Sequence, residues 1–202
     1  MNASQDPEPR KPLPGATGGP RISPVAPPYD DETQRLLTKW MPPGSELEPL
    51  LLFRVLVVHR RLAGRIHPMA SGLLNHGTLP ARDREVLISR TTARAGAEYE
   101  WGVHAVLLGP QAGLDCDVLD ALATQPAGSA AFDAHTRLLV TAADELHDRA
   151  TLSASTWQDL QEAYDDAQLV ELLLLAGWYR TLSTVINSTD LPLEPWAARF
   201  PA

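Results

Sequence analysis

Arg84-Glu85-Val86-Leu87-Ile88-Ser89-Arg90-Thr91-Thr92-Ala93-Arg94-Ala95-Gly96-Ala97-Glu98-Tyr99-Glu100-Trp101-Gly102-Val103-His104 is the stretch on which the reading of this chain turns. Apolar residues recur in it at helical steps, with Val86, Leu87, Ile88 and Thr91 forming a stripe, and no strand-like alternation of useful length is present. Two helices are expected, the first closed by Gly96. The second, from about Tyr99 to Leu108, sets Glu100 and His104 four residues apart on one face, with Trp101 bordering the imidazole. Glu85 then has to be brought in from the preceding helix.

The same periodicity continues on both sides, so an all-α domain is expected over residues 29–202. Ser45 reads as the cap of a helix through Leu50, Phe53, Leu56 and Val57, and Pro68 as the residue that breaks or redirects it, leaving a second piece from Met69 to Asn75. Leu79-Pro80 opens the next helix. Gly109-Pro110 ends the helix that holds His104, and Gly113-Leu114-Asp115 supplies a stop followed by a capping aspartate for a short helix through Leu119 and Leu122. After a Pro-Gly-Ser loop at Pro126 to Ser129, Phe132 to His147 is amphipathic, with Leu138, Leu139 and Ala142 inward. Ser153 or Ser155 starts a helix through Trp157 and Leu160. The last helix, about Ala167 to Ile186, is apolar nearly all round, which calls for contact on most sides in a helical core or at a subunit interface.

A chain of 202 residues with 44% hydrophobic content is large enough for one domain with a substantial core. Residues 1–28 hold 8 of the 18 prolines together with Gly15, Gly18 and Gly19, and read as a disordered or extended arm. A formal charge of -8 argues against nucleic acid or an anionic membrane surface as partner and favours a small-molecule substrate. The single cysteine, Cys116, rules out an intramolecular disulfide and any site needing two thiols from one chain, which fits a reducing cytoplasm. The uncharged run Leu172 to Tyr179 is shorter than the roughly 20 residues of a membrane span.

Glu85, Glu100 and His104 together suffice for acid–base catalysis without a cofactor. A carboxylate accepts a proton, an imidazole titrates near neutrality, and a second carboxylate fixes its tautomer or carries a proton itself. Such a trio can abstract a proton beside a carbonyl or return one to a carbanion. The alternatives are a solvated helix face, a non-catalytic binding protein, or a metal site using His104 with Glu85 and Glu100; the other histidines supply no second ligand pair at helical spacing. No Gly-x-Ser-x-Gly elbow is present, which argues against a serine hydrolase. Arg82, Arg84 and Arg90 lie close enough for one of them to hold a substrate carboxylate. Tyr99, Trp101, Trp178 and Tyr179 are the aromatic candidates for lining a pocket.

Leu79-Pro80-Ala81-Arg82-Asp83-Arg84-Glu85, Gly96-Ala97-Glu98-Tyr99-Glu100-Trp101 with His104, Ala112-Gly113-Leu114, Ala143-Asp144-Glu145-Leu146 and Leu169-Val170-Glu171-Leu172 resemble, in order, the carboxymuconolactone decarboxylase family over about residues 46–190. The resemblance implies an alkylhydroperoxidase D-like helical bundle that assembles as a homo-oligomer, trimer or hexamer, with a pocket near a subunit interface. In the peroxidase branch a glutamate is followed by a Cys-x-x-Cys pair and a histidine. Aligned from Glu85, those cysteines fall on Ala97 and Glu100, and the histidine on His104. Without the thiols the dithiol peroxidase cycle cannot run, since one sulfur must attack and another resolve. The resemblance therefore implies a lyase or isomerase acting on a small cyclic or conjugated organic acid. His104 would be its general acid or base, Glu100 the partner or second proton carrier, and Glu85 the relay or orienting group. The long proline-rich arm and the Tyr-Glu-Trp form of the motif depart from the family's compact pattern.

Overall fold

Residues 19–42 and 44–201 are described by the computed structural model, and residues 1–18, most of the proline-rich arm, lie outside them. Among the described residues the chain forms nine α-helices and no strand. They are α1 (Asp31–Trp40), α2 (Leu51–Leu56), α3 (Arg60–Asn75), α4 (Ala81–Arg94), α5 (Glu98–Leu107), α6 (Cys116–Thr124), α7 (Ala134–Arg149), α8 (Ala154–Ala163) and α9 (Asp166–Thr189).

Most starts are written locally. The carboxylates of Asp30, Asp115, Asp133 and Asp165 and the hydroxyl of Ser153 each accept a hydrogen bond from the backbone N–H three residues on, which satisfies an orphan donor of the first turn. Gly96 and Gly113 adopt φ values of 63° and 72°, so the chain reverses there at the left-handed backbone that a glycine adopts without strain. Helix α1 has the same signals, Asp30 as cap with Asp31 and Glu32 in its first turn, yet falls outside the periodic pattern read from sequence.

Helix α4 is the central element and packs against α5, α6, α7 and α9. Seven consecutive residues, Val86 to Thr92, are buried, so it is covered all round rather than along one stripe. Arg90 is buried in this setting because every part of its guanidinium is used. Nε and Nη2 donate to the two carboxylate oxygens of Asp144 at 2.7 Å each, and Nη1 donates to the carbonyls of Leu122 and Gln125. One side chain thereby ties α4 to α7 and to the end of α6.

Two expectations are corrected. Pro68 does not break the chain: α3 runs through it without interruption. The ring removes one N–H, but the carbonyl it would have served belongs to exposed Gly64 and stays open to water, while Ala63, Ile66, Ala70 and Leu73 hold the helix against the body. Nor does Ser45 cap α2, which starts six residues later. Its first N–H groups are met from far along the chain: Leu51 donates to Glu194 Oε1 at 2.6 Å, and Leu52 to the hydroxyl of Tyr99 at 3.1 Å.

Glu194 belongs to a C-terminal strap, residues 190–201, laid across α5. The Phe200 N–H donates to Glu98, its ring meets Trp101 with centroids 5.2 Å apart, and Ala198 donates to the Gly102 carbonyl. A Cβ at Gly102 would lie 2.2 Å from the Ala198 carbonyl oxygen, so glycine is what lets the strap sit this close. Residues 19–28 run in extended form along the body, where Val25 and Arg54 exchange hydrogen bonds and Arg21 donates to the Thr189 carbonyl. Helix α9 is, by length and composition, long and apolar enough to cross a membrane, and half of its apolar stretch is buried within the fold.

Replacing Arg90 by alanine leaves two carbonyls without their donor and Asp144 with only its longer contact to Arg94 Nε at 3.3 Å. We expect a loss of about 3–5 kcal/mol in urea unfolding, against no more than about 1 kcal/mol for Arg60→Ala, whose partners Asp30 and Glu32 are solvent-exposed. Equal losses would show that the buried guanidinium is not the tie described.

Candidate active site

Helix α4 delivers Glu85 and α5 delivers Glu100 and His104, and the turn at Gly96 folds one helix back against the other. The result is a row of side chains inside the protein. His104 Nδ1 donates to Glu85 Oε2 at 2.7 Å, and its Nε2 lies 3.6 Å from Glu100 Oε1, too long for a direct hydrogen bond. Arg84 Nε donates to the other Glu85 oxygen at 3.2 Å. Tyr179, reaching in from α9, stands edge-on to the imidazole with ring centroids 5.1 Å apart.

Burial is what gives this row its character. Glu85 is 1% exposed, His104 4% and Glu100 5%, whereas the side chain of Arg84 is 19% exposed and forms the outer end. Desolvation alone would push the imidazole down; the Glu85 carboxylate, joined by Glu100, more than reverses this and pushes it up to about 10. Burial likewise raises Glu85, but the His104 charge and then Arg84 outweigh it and hold the carboxyl below its usual range. Tyr179 goes the other way. Its phenol is raised by burial and by the two carboxylates, so it stays neutral. At neutral pH His104 is therefore an imidazolium clasped by an ionised Glu85.

The remaining candidates fall into two groups. Arg82 turns to the Gly113 carbonyl at 2.7 Å and Arg90 is fully engaged with Asp144, so of the three arginines only Arg84 joins the row. Tyr99 and Trp101 are buried on the strap side: the Tyr99 hydroxyl donates to Glu194, and Trp101 packs on Phe200 with its indole N–H unpaired among the described residues. Trp178 is part of the apolar core. The strap carries the contacts that sequence reasoning missed, since its prolines and short apolar runs show no periodicity that would tie it to α5.

Among the described residues no group of three or more His, Cys, Asp or Glu has the arrangement of a metal site. Both ring nitrogens of His104 face carboxylates. Cys116 is exposed at the start of α6, its sulfur 3.8 Å from Asp117 Oδ1. Two shallow surface hollows, one along α1 from Glu32 to Lys39 and one bordered by Pro27 to Tyr29 and Leu47 to Pro49, do not touch the row.

No family model and no curated protein matches the chain. Among solved structures it is similar to an uncharacterized peroxidase-related protein from Silicibacter sp. TM1040, with a TM-score of 0.71 and 15% identity, covering 93% of this chain and 100% of that one. At that identity the likeness speaks for the fold alone, an all-α arrangement shared over 93% of this chain and 100% of that one.

The two shifts set a pH window. Stability due to Glu85 is present above its ordinary value of 4.5 and lost as pH falls through the lowered one; stability due to His104 is present below 6.5 and lost as pH rises towards 10. Urea unfolding free energy should peak between pH 4.5 and 6.5 and decline from 6.5 to 10, and His104→Gln should remove that alkaline decline. An unchanged decline in the variant would count against the ion pair.

Proposed function

We propose that this protein is a cofactor-independent acid–base enzyme, a lyase or isomerase acting on a small cyclic or conjugated organic acid. The observation that carries this reading is the buried row of Arg84, Glu85, His104 and Glu100, in which a charged imidazole lies between two carboxylates and the thiol positions of a dithiol peroxidase hold Ala97 and Glu100.

Each member has a distinct part. Arg84 Nε is bound to Glu85, while its terminal nitrogens make no hydrogen bond among the described residues; at the least buried end of the row they are placed to pair with a substrate carboxylate. Glu85 remains ionised, orients the imidazole through Nδ1 and stabilises its charge. That leaves Nε2–H as the proton donor and Glu100 as the acceptor beside it. In an isomerisation, Glu100 takes a carbon-bound proton, the electron pair moves into the conjugated system, and His104 protonates the far carbon. Transfer from Glu100 to His104 then restores the resting state. In a decarboxylation the bond to the carboxyl carbon breaks, carbon dioxide leaves, the pair left behind takes the His104 Nε2 proton, and solvent returns one proton to the imidazole after product departs. The neutral Tyr179 edge and the surrounding core keep bulk water from quenching the carbanion.

Incubation with a panel of small unsaturated and lactone acids in deuterium oxide, read by proton NMR, tests this directly. Wild-type protein should incorporate deuterium or release carbon dioxide from at least one of them, and His104→Gln and Glu100→Gln, shown folded by circular dichroism, should be slower by about 10²–10⁴-fold. Arg84→Met should mainly raise KM. Undiminished turnover in His104→Gln would overturn the assignment, and a compound that binds but is recovered unchanged would mark a binding protein on the same bundle.

A further inference from the structure

A second convergence of polar side chains lies apart from the row, where the starts of α4 and α7 meet the end of α8. Tyr164, just past α8, donates its hydroxyl to Asp83 Oδ2 at 2.7 Å, and His135 Nε2 stands 3.0 Å from that oxygen and 3.1 Å from the phenol oxygen. Asp83 and Tyr164 are 7% and 6% exposed, whereas the His135 side chain is 48% exposed and forms the open side. Asp83 precedes Glu85 by two residues in α4, about 200° around the helix, and so faces away from the row.

A buried carboxylate calls for a cation. Glu85 and Asp144 each hold an arginine, but among the described residues Asp83 has the imidazole of His135 as its one charged partner, and its Oδ1 makes no hydrogen bond. Its sequence neighbour Arg82 is engaged with the Gly113 carbonyl. Adjacent ligands about 2.0–2.2 Å from one metal ion stand roughly 2.8–3.6 Å apart, from octahedral to tetrahedral geometry. The three donor atoms here, 2.7, 3.0 and 3.1 Å apart, lie at the octahedral end, and a small parting admits an ion between them.

We infer that Asp83, His135 and Tyr164 form a binding site for ferric iron, with three protein ligands on one side and water on the other. The donors select the ion. Carboxylate and phenolate bring two negative charges to a neutral imidazole, a set that suits a hard trivalent cation. Burial and the Asp83 carboxylate push the Tyr164 phenol up, so binding has to displace its proton, which a trivalent ion does through its own charge. That proton leaves to solvent. The phenolate oxygen, Asp83 and His135 Nε2 each donate an electron pair, the ring keeps its proton on the outward Nδ1, and the iron stays ferric. The inference uses none of the residues of the row and is independent of the proton-transfer reading.

Titration of the full chain, freed of metal by a chelator, with ferric nitrilotriacetate at neutral pH tests it. Wild-type protein should develop the visible phenolate-to-iron charge-transfer band, saturating at one iron per chain with a dissociation constant of about 1 μM or below. Tyr164→Phe should abolish the band. His135→Gln, at a half-exposed position that keeps the test decisive should Tyr164→Phe fold poorly, should weaken binding by at least the roughly 10-fold that loss of an outer-shell partner costs. His104→Gln should keep the band whatever its effect on turnover. No band in the wild type at about 100 μM iron would overturn the inference, as would a band that survives Tyr164→Phe or an affinity unchanged in His135→Gln. Stoichiometric zinc binding without a ferric band would overturn the choice of iron.

Discussion

A carboxylate and an imidazolium 2.7 Å apart, closed off from water between two helices, set the terms for everything else in this molecule. Taking either charge out of water costs several kcal/mol, which mutual attraction offsets only if the two stay in close register and the remaining polar atoms are met. Glu85 meets both demands: one oxygen takes the His104 proton and the other the Arg84 Nε–H. The Arg84 guanidinium at the outer end of the row sets a further positive group beside the Glu85 carboxylate, so the buried pair does not stand alone.

Keeping that register explains the neighbouring architecture. Helix α4 presents Glu85, so any rotation of α4 would pull the carboxylate from the imidazole, and Arg90 resists rotation through its four hydrogen bonds to Asp144, Leu122 and Gln125. Helix α5 presents His104, and the C-terminal strap presses on its other side through Gly102, Glu98 and Trp101. The strap also reaches through Glu194 and Tyr99 to the start of α2, so that helix is anchored to the same element. A row buried this deeply is suited to chemistry that water would spoil, such as a carbanion awaiting its proton.

What could be read in the chain beforehand follows the range of the forces involved. Asp115, Ser153, Gly96 and Gly113 act on the residues beside them, and their roles in capping and turning were legible from sequence alone. Helical spacing likewise brought Glu100 and His104 to one face. Pro68 and Ser45 misled because tertiary contact overrode a local signal: α3 is held from one side by its apolar residues, and α2 is capped by Glu194 from 143 positions away. The apolar character of α9 announced contact on many sides, and a single chain covers only part of it. That Arg84, and not Arg82 or Arg90, joins the row depended on which way each side chain turns, a matter of three-dimensional neighbours.

The protonation state of His104 is the point on which the charge balance, the role of Glu85 and the supply of a proton through Nε2 all converge. Nitrogen-15 NMR of imidazole-labelled protein at pH 8 measures it directly. The account predicts that the His104 ring gives two protonated nitrogens there, with titration only as pH approaches about 10. A neutral tautomer at pH 8, with one bare nitrogen, would contradict it.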